Sequence, residues 1–240
     1  MDNESLINKL NLNEKKVISF VGGGGKTTVI GMLAAQLKNE GKSVLSTTST
    51  AIFKPQKGYD TIFIGDIPCG YIPNKNSITV YGEYEVDNKL RVKNTSKIDD
   101  LIKKNLFDFI LIEADGSKGK PIKAPANHEP VVLNCTTITV GMVGMDCLGK
   151  KVYDIAHRPE ILADLLETTI DHIIEFNDII KLSIYNNGIF KNSKGRKILF
   201  LNKVDDRQLG IVEKIKKGLE DTDIDVVVGK KLSSEKLANR

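Results

Sequence analysis

An α/β architecture is expected for this 240-residue chain: a mostly parallel sheet with helices on both faces and an antiparallel insertion at one edge. Three observations carry it. Short apolar runs, such as the wholly apolar 109–112, suit strands buried on both faces. Segments of helical period alternate with them; in 27–38, Ile30, Leu33, Ala34 and Leu37 share one face. Four consecutive glycines separate the first strand from the first helix, giving the strand–turn–helix–strand unit that opens a parallel sheet.

The elements follow in order. Residues 17–21 form a strand that stops at the glycines, 27–38 a helix that Gly41 ends, and 43–46 the second strand. Between about 58 and 95 the pattern changes. Short strand candidates lie at 62–64 and 78–81, and 83–86 and 89–92 flank Asp87-Asn88, a hairpin turn. This stretch reads as a β-rich antiparallel excursion. A helix at 98–106 precedes a strand at 109–112 that ends at Glu113. Residues 137–143 make another buried strand, 159–166 and 170–182 helices, and 197–201 a strand ending at Asn202. An amphipathic helix at 206–219 carries Leu209, Val212, Ile215 and Leu219 on one face, and 225–228 is the last strand. No Pro/Gly/Ser linker divides the chain, so one domain over 1–240 is expected.

Composition narrows the function classes. A hydrophobic content of 40% argues against disorder. The 35 Lys+Arg nearly balance 31 Asp+Glu, without a dense basic tract, and aromatics are only 6%, so no nucleic-acid partner is expected. No apolar stretch is long enough to span a membrane. The N-terminus is polar and acidic where a leader would be basic and then apolar, which predicts a cytoplasmic protein. Cys69, Cys135 and Cys147 lack CxxC spacing and suit reduced thiols. His128, His157 and His172 lack metal-ligand spacing.

Gly22, Gly23, Gly24, Gly25, Lys26, Thr27 and Thr28 form a phosphate loop. Glycines let backbone N–H groups converge on phosphate oxygens, and the helix N-terminus adds partial positive charge. Lys26 would reach the β- and γ-phosphates and the Thr27 hydroxyl would bind Mg²⁺. The usual GxxxxGK[ST] pattern would place Gly at position 20, where this chain has Phe20. With its strand and helix flanks, the loop specifies the fold as a P-loop NTPase.

Glu113 and Asp115 stand just past a buried strand, where α/β sheets place their ligands. Asp115 is the first choice for the Mg²⁺ shell and Glu113 for positioning water or a switch. Asn202-Lys203-Val204-Asp205 follows a later strand with NKxD spacing. There the Asp would accept from the guanine N1–H and amine, the Lys stem would cover the base, and the Asn would brace the loop. GTP is therefore the expected nucleotide and ATP the second choice; a helix-entry turn is the other reading. Val228-Gly229-Lys230 would close over the base from the other side.

Together these motifs resemble the SIMIBI class of P-loop NTPases, whose metallocentre-maturation GTPases carry a GGxGKT-type loop, a strand ending in Glu-x-x-Gly, and NKxD. Several further stretches, in one order, resemble the YqeC family of selenium-dependent molybdenum hydroxylase accessory proteins. They are VGGGGKTT (21–28), STTSTAIFKP (46–55), EADGSKGKPIKAPANHEP (113–130), GMVGMDCLGK (141–150), AHRPEI (156–161), NNGIFK (186–191) and LNKVD (201–205). The resemblance implies a cytosolic P-loop protein that works with a molybdenum hydroxylase or its cofactor-maturation machinery. Val21 replaces the lysine that begins some SIMIBI loops. NTPases of this class often dimerise around the nucleotide, so a homodimer is an open expectation.

Other residues keep two readings. Thr47, Thr48, Ser49 and Thr50 either complete the Mg²⁺ shell and sense the γ-phosphate, or form a turn that satisfies its own backbone. Lys118, Lys120 and Lys123 neutralise phosphate charge or hold an anionic second substrate, or they belong to a solvated loop. Arg158 acts at the phosphates, or braces a loop or caps a helix; His128 and His157 carry protons, or brace. Met142, Met145 and Cys147 suit apolar packing. Hydrolysis by water would be slow, since no water-positioning Gln stands out. A small-molecule kinase and a non-catalytic nucleotide sensor are the rival functions.

Overall fold

The first strand, β1 (Lys16–Gly22), is buried on both faces because helices cover each side of the sheet it centres. The computed structural model describes residues 4–14 and 16–231; the start of the polar N-terminal stretch and the end of the expected 1–240 domain lie outside them. In chain order, α1 (Leu6–Lys9) precedes β1, followed by α2 (Lys26–Asn39), β2 (Ser43–Thr48), β3 (Ala51–Phe53), β4 (Thr61–Ile64) and β5 (Ser77–Gly82). Next come β6 (Tyr84–Val86), β7 (Lys89–Arg91), α3 (Ser96–Lys103), β8 (Phe109–Glu113), β9 (Ile122–Lys123) and β10 (Ile138–Gly144). The chain continues through α4 (Val152–Ile155), β11 (Ala156–His157), α5 (Pro159–Leu166), α6 (Phe176–Ile184), β12 (Arg196–Val204), α7 (Leu209–Gly218) and β13 (Ile224–Lys230).

Eight strands form one parallel sheet in the order β13-β12-β10-β1-β8-β2-β5-β4. Period-2 alternation sorts its side chains. Ile18, Phe20, Leu111, Ile198 and Phe200 meet Val29, Ile30, Leu33 and Leu37 of α2 on one face. On the other, Ile110 and Ile112 pack with Ile98 and Leu101 of α3, while Leu199 and Leu201 pack with Leu162, Ile179 and Ile215 of α5, α6 and α7. The expected α/β P-loop-like architecture is the one observed.

Within it, the strands at 61–64 and 77–82 differ from expectation. Both belong to the main sheet and run parallel, because residues 65–76 supply a crossover long enough to bring the chain back in the same direction. The antiparallel part is a separate sheet, β3-β7-β6, whose β6–β7 hairpin turns on Asp87 and Asn88 at φ 51° and 56°. The helix expected at 170–182 begins only at Phe176. Glu175 and Asp178 form a capping box there, while Ile170 and His172 accept backbone bonds from Tyr153 and Val152. The strand expected to stop at Asn202 runs on to Val204 through an irregularity, with Lys203 at φ 59°. A short 3₁₀ turn at Asp206–Gln208 precedes the helix expected from 206.

Candidate functional site

Register places the chemistry at the carboxyl ends of the central strands. Phe20 and Thr48 both lie beside Glu113, and Gly22 lies beside Met142, so the glycine turn, the carboxylate strand end and the end of β2 converge.

The turn is packed down onto its neighbours. Gly22 N–H donates to Asp115 Oδ2 at 3.0 Å, Gly23 N–H to the Met142 carbonyl at 2.8 Å, and Gly24 N–H to the Lys120 carbonyl at 3.0 Å. These three amides are therefore engaged within the protein, against the expectation that the glycine amides converge on phosphate. At Gly24, φ is +79° and a Cβ would fall 2.1 Å from Gly144 N, so only glycine fits. Helical bonding starts with Val29 N–H to the Gly25 carbonyl at 3.1 Å. The amides of Lys26, Thr27 and Thr28 thus precede any intrahelical acceptor and make up the N-terminus of α2, the end of a helix that favours negative charge.

Lys26 is only 2% exposed. Its Nζ donates to the Gly22 carbonyl and lies 3.1 Å from Asp115 Oδ1 and 3.9 Å from Glu113 Oε1. The Asp115 Oδ1 contact is one of charge, since that buried oxygen has no aligned hydrogen bond. Thr27 Oγ1 donates to Glu113 Oε2 at 2.8 Å. Glu113, then, is the carboxylate beside the Thr27 hydroxyl, whereas the first-choice metal residue Asp115 braces the loop. Burial raises the Glu113 carboxyl above its usual range, despite Lys26 and Thr27.

Behind Asp115 runs a buried chain of charges. Lys123, 1% exposed, places Nζ 3.0 Å from Asp115 Oδ2 and 2.7 Å from Glu129 Oε2, and donates to the Gly116 carbonyl at 2.8 Å. Arg158 closes the chain on Glu129. The parallel pair β9–β11 aligns Lys123 with His157 and so brings these distant loops together. Burial opposes ionisation of Glu129, but hydrogen bonds from Arg158 and Lys123 overcome it and hold the carboxyl at about 2. Burial, then the charges of Arg158 and Lys123, push His157 down to about 4, so it is neutral at pH 7.

The third motif joins the first directly. Asn202 Nδ2 donates to the Gly24 carbonyl at 2.7 Å. Lys203 Nζ pairs with Asp146 Oδ2 at 2.9 Å. Asp205 accepts from Arg207 N–H and Arg207 Nη2, each at 2.9 Å, and so caps the turn that leads to α7.

Other expectations resolve differently. Arg158 lies on Glu129, not among the glycines, which makes it a brace. Of the three loop lysines, Lys123 is buried and Lys120 donates to the Asp154 carbonyl at 2.7 Å. Thr47 donates to the Tyr81 carbonyl, Thr48 to that of Glu113, and Ser49 to that of Val131, so these hydroxyls tie the run to neighbouring segments; within the run itself, Thr50 N–H donates to Thr48 Oγ1 at 3.0 Å. Met142, Met145 and Cys147 are fully buried, and burial pushes the Cys147 thiol up to about 12. His128 is exposed. Sequence reading missed the Lys123–Glu129 pair, because no periodicity marks two loop residues that meet only through β9–β11 pairing.

Among the described residues no group of three or more His, Cys, Asp or Glu is arranged to hold a metal. The hard oxygens of Thr27 and Glu113 nonetheless suit Mg²⁺, which takes few protein ligands and completes its shell with phosphate and water. No described helix is long and apolar enough to cross a membrane.

Comparison with known proteins places the chain in a family. The family model described as YqeC protein matches residues 18–160, a span that holds the phosphate loop, both strand-end carboxylates and the whole buried ion chain. The protein named "Uncharacterized protein YqeC" from Escherichia coli (strain K12) is 34% identical over 193 residues, covering 78% of this chain and 75% of its own length. No solved structure matches the chain. On the extent of the family match and the identity to that relative, the chain belongs to the YqeC family.

Proposed function

We propose that this chain is a Mg²⁺-dependent nucleotide-binding protein, a slow GTPase with ATP as second choice. Its task would be that of a cytoplasmic accessory factor in selenium/molybdenum cofactor maturation of a selenium-dependent molybdenum hydroxylase. The observation that carries the nucleotide part is Lys26: a buried ammonium at a helix N-terminus, held against two carboxylates at the end of a glycine turn. An incoming phosphate would take over the Lys26 ammonium, and the Lys26, Thr27 and Thr28 amides would receive its oxygens. Asp115 would remain compensated by Lys123. Thr27 and Glu113 would hold Mg²⁺, with Asp115 behind them. When bound, the ion would neutralise charge on the transferring phosphoryl group.

A slow rate follows from the side chains available. Arg158 is engaged by Glu129 rather than free to reach phosphate, so it adds no charge at the transferring phosphoryl group. The base is assigned to Asn202, Lys203 and Asp205, since Asn202 already touches the phosphate loop. The maturation role rests on the family resemblance, with nucleotide state changing the grip on a partner.

The deciding experiment is a direct titration of GTP, ATP and their non-hydrolysable analogues, with and without Mg²⁺. Preference for GTP supports Asn202–Asp205 as base reader. Preference for ATP brings forward the kinase reading, which one observation favours, namely the apolar cleft beside Thr27 and Glu113. Absence of Mg²⁺-dependent binding removes the proposal.

A further inference from the structure

A cleft of about 510 Å³ runs along α2 from Thr27 and Thr28, the last residues of the phosphate loop. Ile30 and Ala34 of α2, Ile52 of β3, Tyr59, and Ile78 and Val80 of β5 give it apolar walls. In the sheet, β12 with its Asn202 lies two strands to one side of β1, whereas β2 and β5 lie two and three strands to the other. A nucleotide whose base sits at Asn202–Asp205 therefore leaves this cleft empty. The cleft meets the phosphate loop at Thr27 and Thr28 and the end of β8 at Glu113, and the charged residues lining it are Glu113, which is buried, and Lys57, which is exposed. Its size is that of a small-molecule site, with few polar groups in an apolar surround.

The lining selects the ligand. Apolar walls favour a ring or similar apolar body. An anionic group at the inner end would face the Glu113 carboxylate and, on the nucleotide reading proposed above, the γ-phosphate as well. A hydroxyl meets neither objection, because it donates a hydrogen bond to Glu113. We propose that this cleft is a second binding site, for an uncharged, ring-bearing alcohol whose ring lies against α2 and whose hydroxyl points to Glu113. The orientation rests in part on the nucleotide reading; the cleft and its walls do not.

Gly31 supplies the test. It lines the cleft, is exposed on α2, and a Cβ built there meets nothing within 4 Å. Gly31→Leu would fill the cleft while raising helix propensity. Ala35→Leu, at another exposed position in the lining, is an independent block. The probe is 2-(2-naphthyl)ethanol, read by fluorescence anisotropy; the chain has no Trp to obscure it. Naphthalene analogues ending in a methyl or a carboxylate are compared, and GTP is titrated on the same samples. The expected result is saturable binding of the alcohol to the wild type, weakened about tenfold or more by each substitution, in the order alcohol, hydrocarbon, carboxylate. GTP affinity should stay within about twofold in both variants, since neither residue belongs to the phosphate loop. No binding to the wild type, or equal binding to the wild type and both variants, overturns the site. A carboxylate that binds tighter than the alcohol overturns the assigned class. Wild type that takes the alcohol and not GTP keeps the site and removes the nucleotide reading.

Discussion

Lys26 shows how one residue gains a second meaning from its surroundings. In sequence it is the cation of a phosphate loop; in the fold it also neutralises Asp115 and Glu113. Lys26→Ala should therefore weaken nucleotide binding about a hundredfold or more. It should also cost about 1–3 kcal/mol in stability, less than a wholly uncompensated charge, because Asp115 keeps Lys123. Calorimetric titration and denaturant unfolding of the same variant check both parts, and unchanged affinity would remove the phosphate-loop assignment. Asp205 allows a cleaner substitution. Its carboxylate caps the turn before α7, and Asn is an equally good cap. Asp205→Asn should leave the unfolding midpoint in place, weaken GTP and strengthen xanthosine triphosphate. If neither affinity moves, Asp205 does not read the base.

At the scale of elements, the phosphate turn is seated on the end of β10 by close backbone contact. Gly24→Ala puts a methyl 2.1 Å from Gly144 N at φ +79° and should cost about 2 kcal/mol or more, measurable by thermal unfolding. A variant as stable as wild type would show that the turn has room to move. The elements themselves were legible to different degrees. The start of α5 could be read from Pro159, and the β6–β7 turn from Asp87-Asn88, because each is written in local chemistry. The late start of α6 could be read only by weighing the Glu175 and Asp178 capping box above the apolar residues at 170 and 173–174. Whether the strands at 61–64 and 77–82 run parallel to the main sheet was not local at all. It depends on which strand each one meets.

Over the whole molecule, Lys26, Asp115, Lys123, Glu129 and Arg158 link the glycine turn to the β9–β11 pair. Lys123→Met removes the buried cation shared by Asp115 and Glu129, which keep Lys26 and Arg158 respectively, and should destabilise the fold by about 1–3 kcal/mol. A loss below 1 kcal/mol in urea unfolding would mean that the chain adds little to stability. Acid sensitivity follows from His157. Its folded-state value of about 4 lies below the ordinary 6.5, so between those pH values the unfolded chain binds the extra proton. The resulting stability is complete above about pH 6.5 and is lost as the pH falls toward 4. Glu129, held at about 2 against the usual 4.5, keeps its contribution down to about pH 4.5 and loses it as the pH falls from there toward 2. Thermal midpoints from pH 7 to 4 should fall less steeply in His157→Gln than in wild type, and parallel curves would remove His157 as the source.

By itself the sequence determined the α/β class, the glycine turn between strand and helix, and the candidate residues of the phosphate and NKxD motifs. All of these are patterns within a few neighbouring residues, where backbone preference and side-chain period act directly. Tertiary structure alone decided that Thr27 pairs with Glu113, that Asp115 and Lys123 brace the loop from behind, and that Arg158 is engaged by Glu129. It alone decided that Asn202 reaches Gly24 across 178 residues of chain. Those contacts depend on sheet order and register, which bring together residues that no local spacing connects.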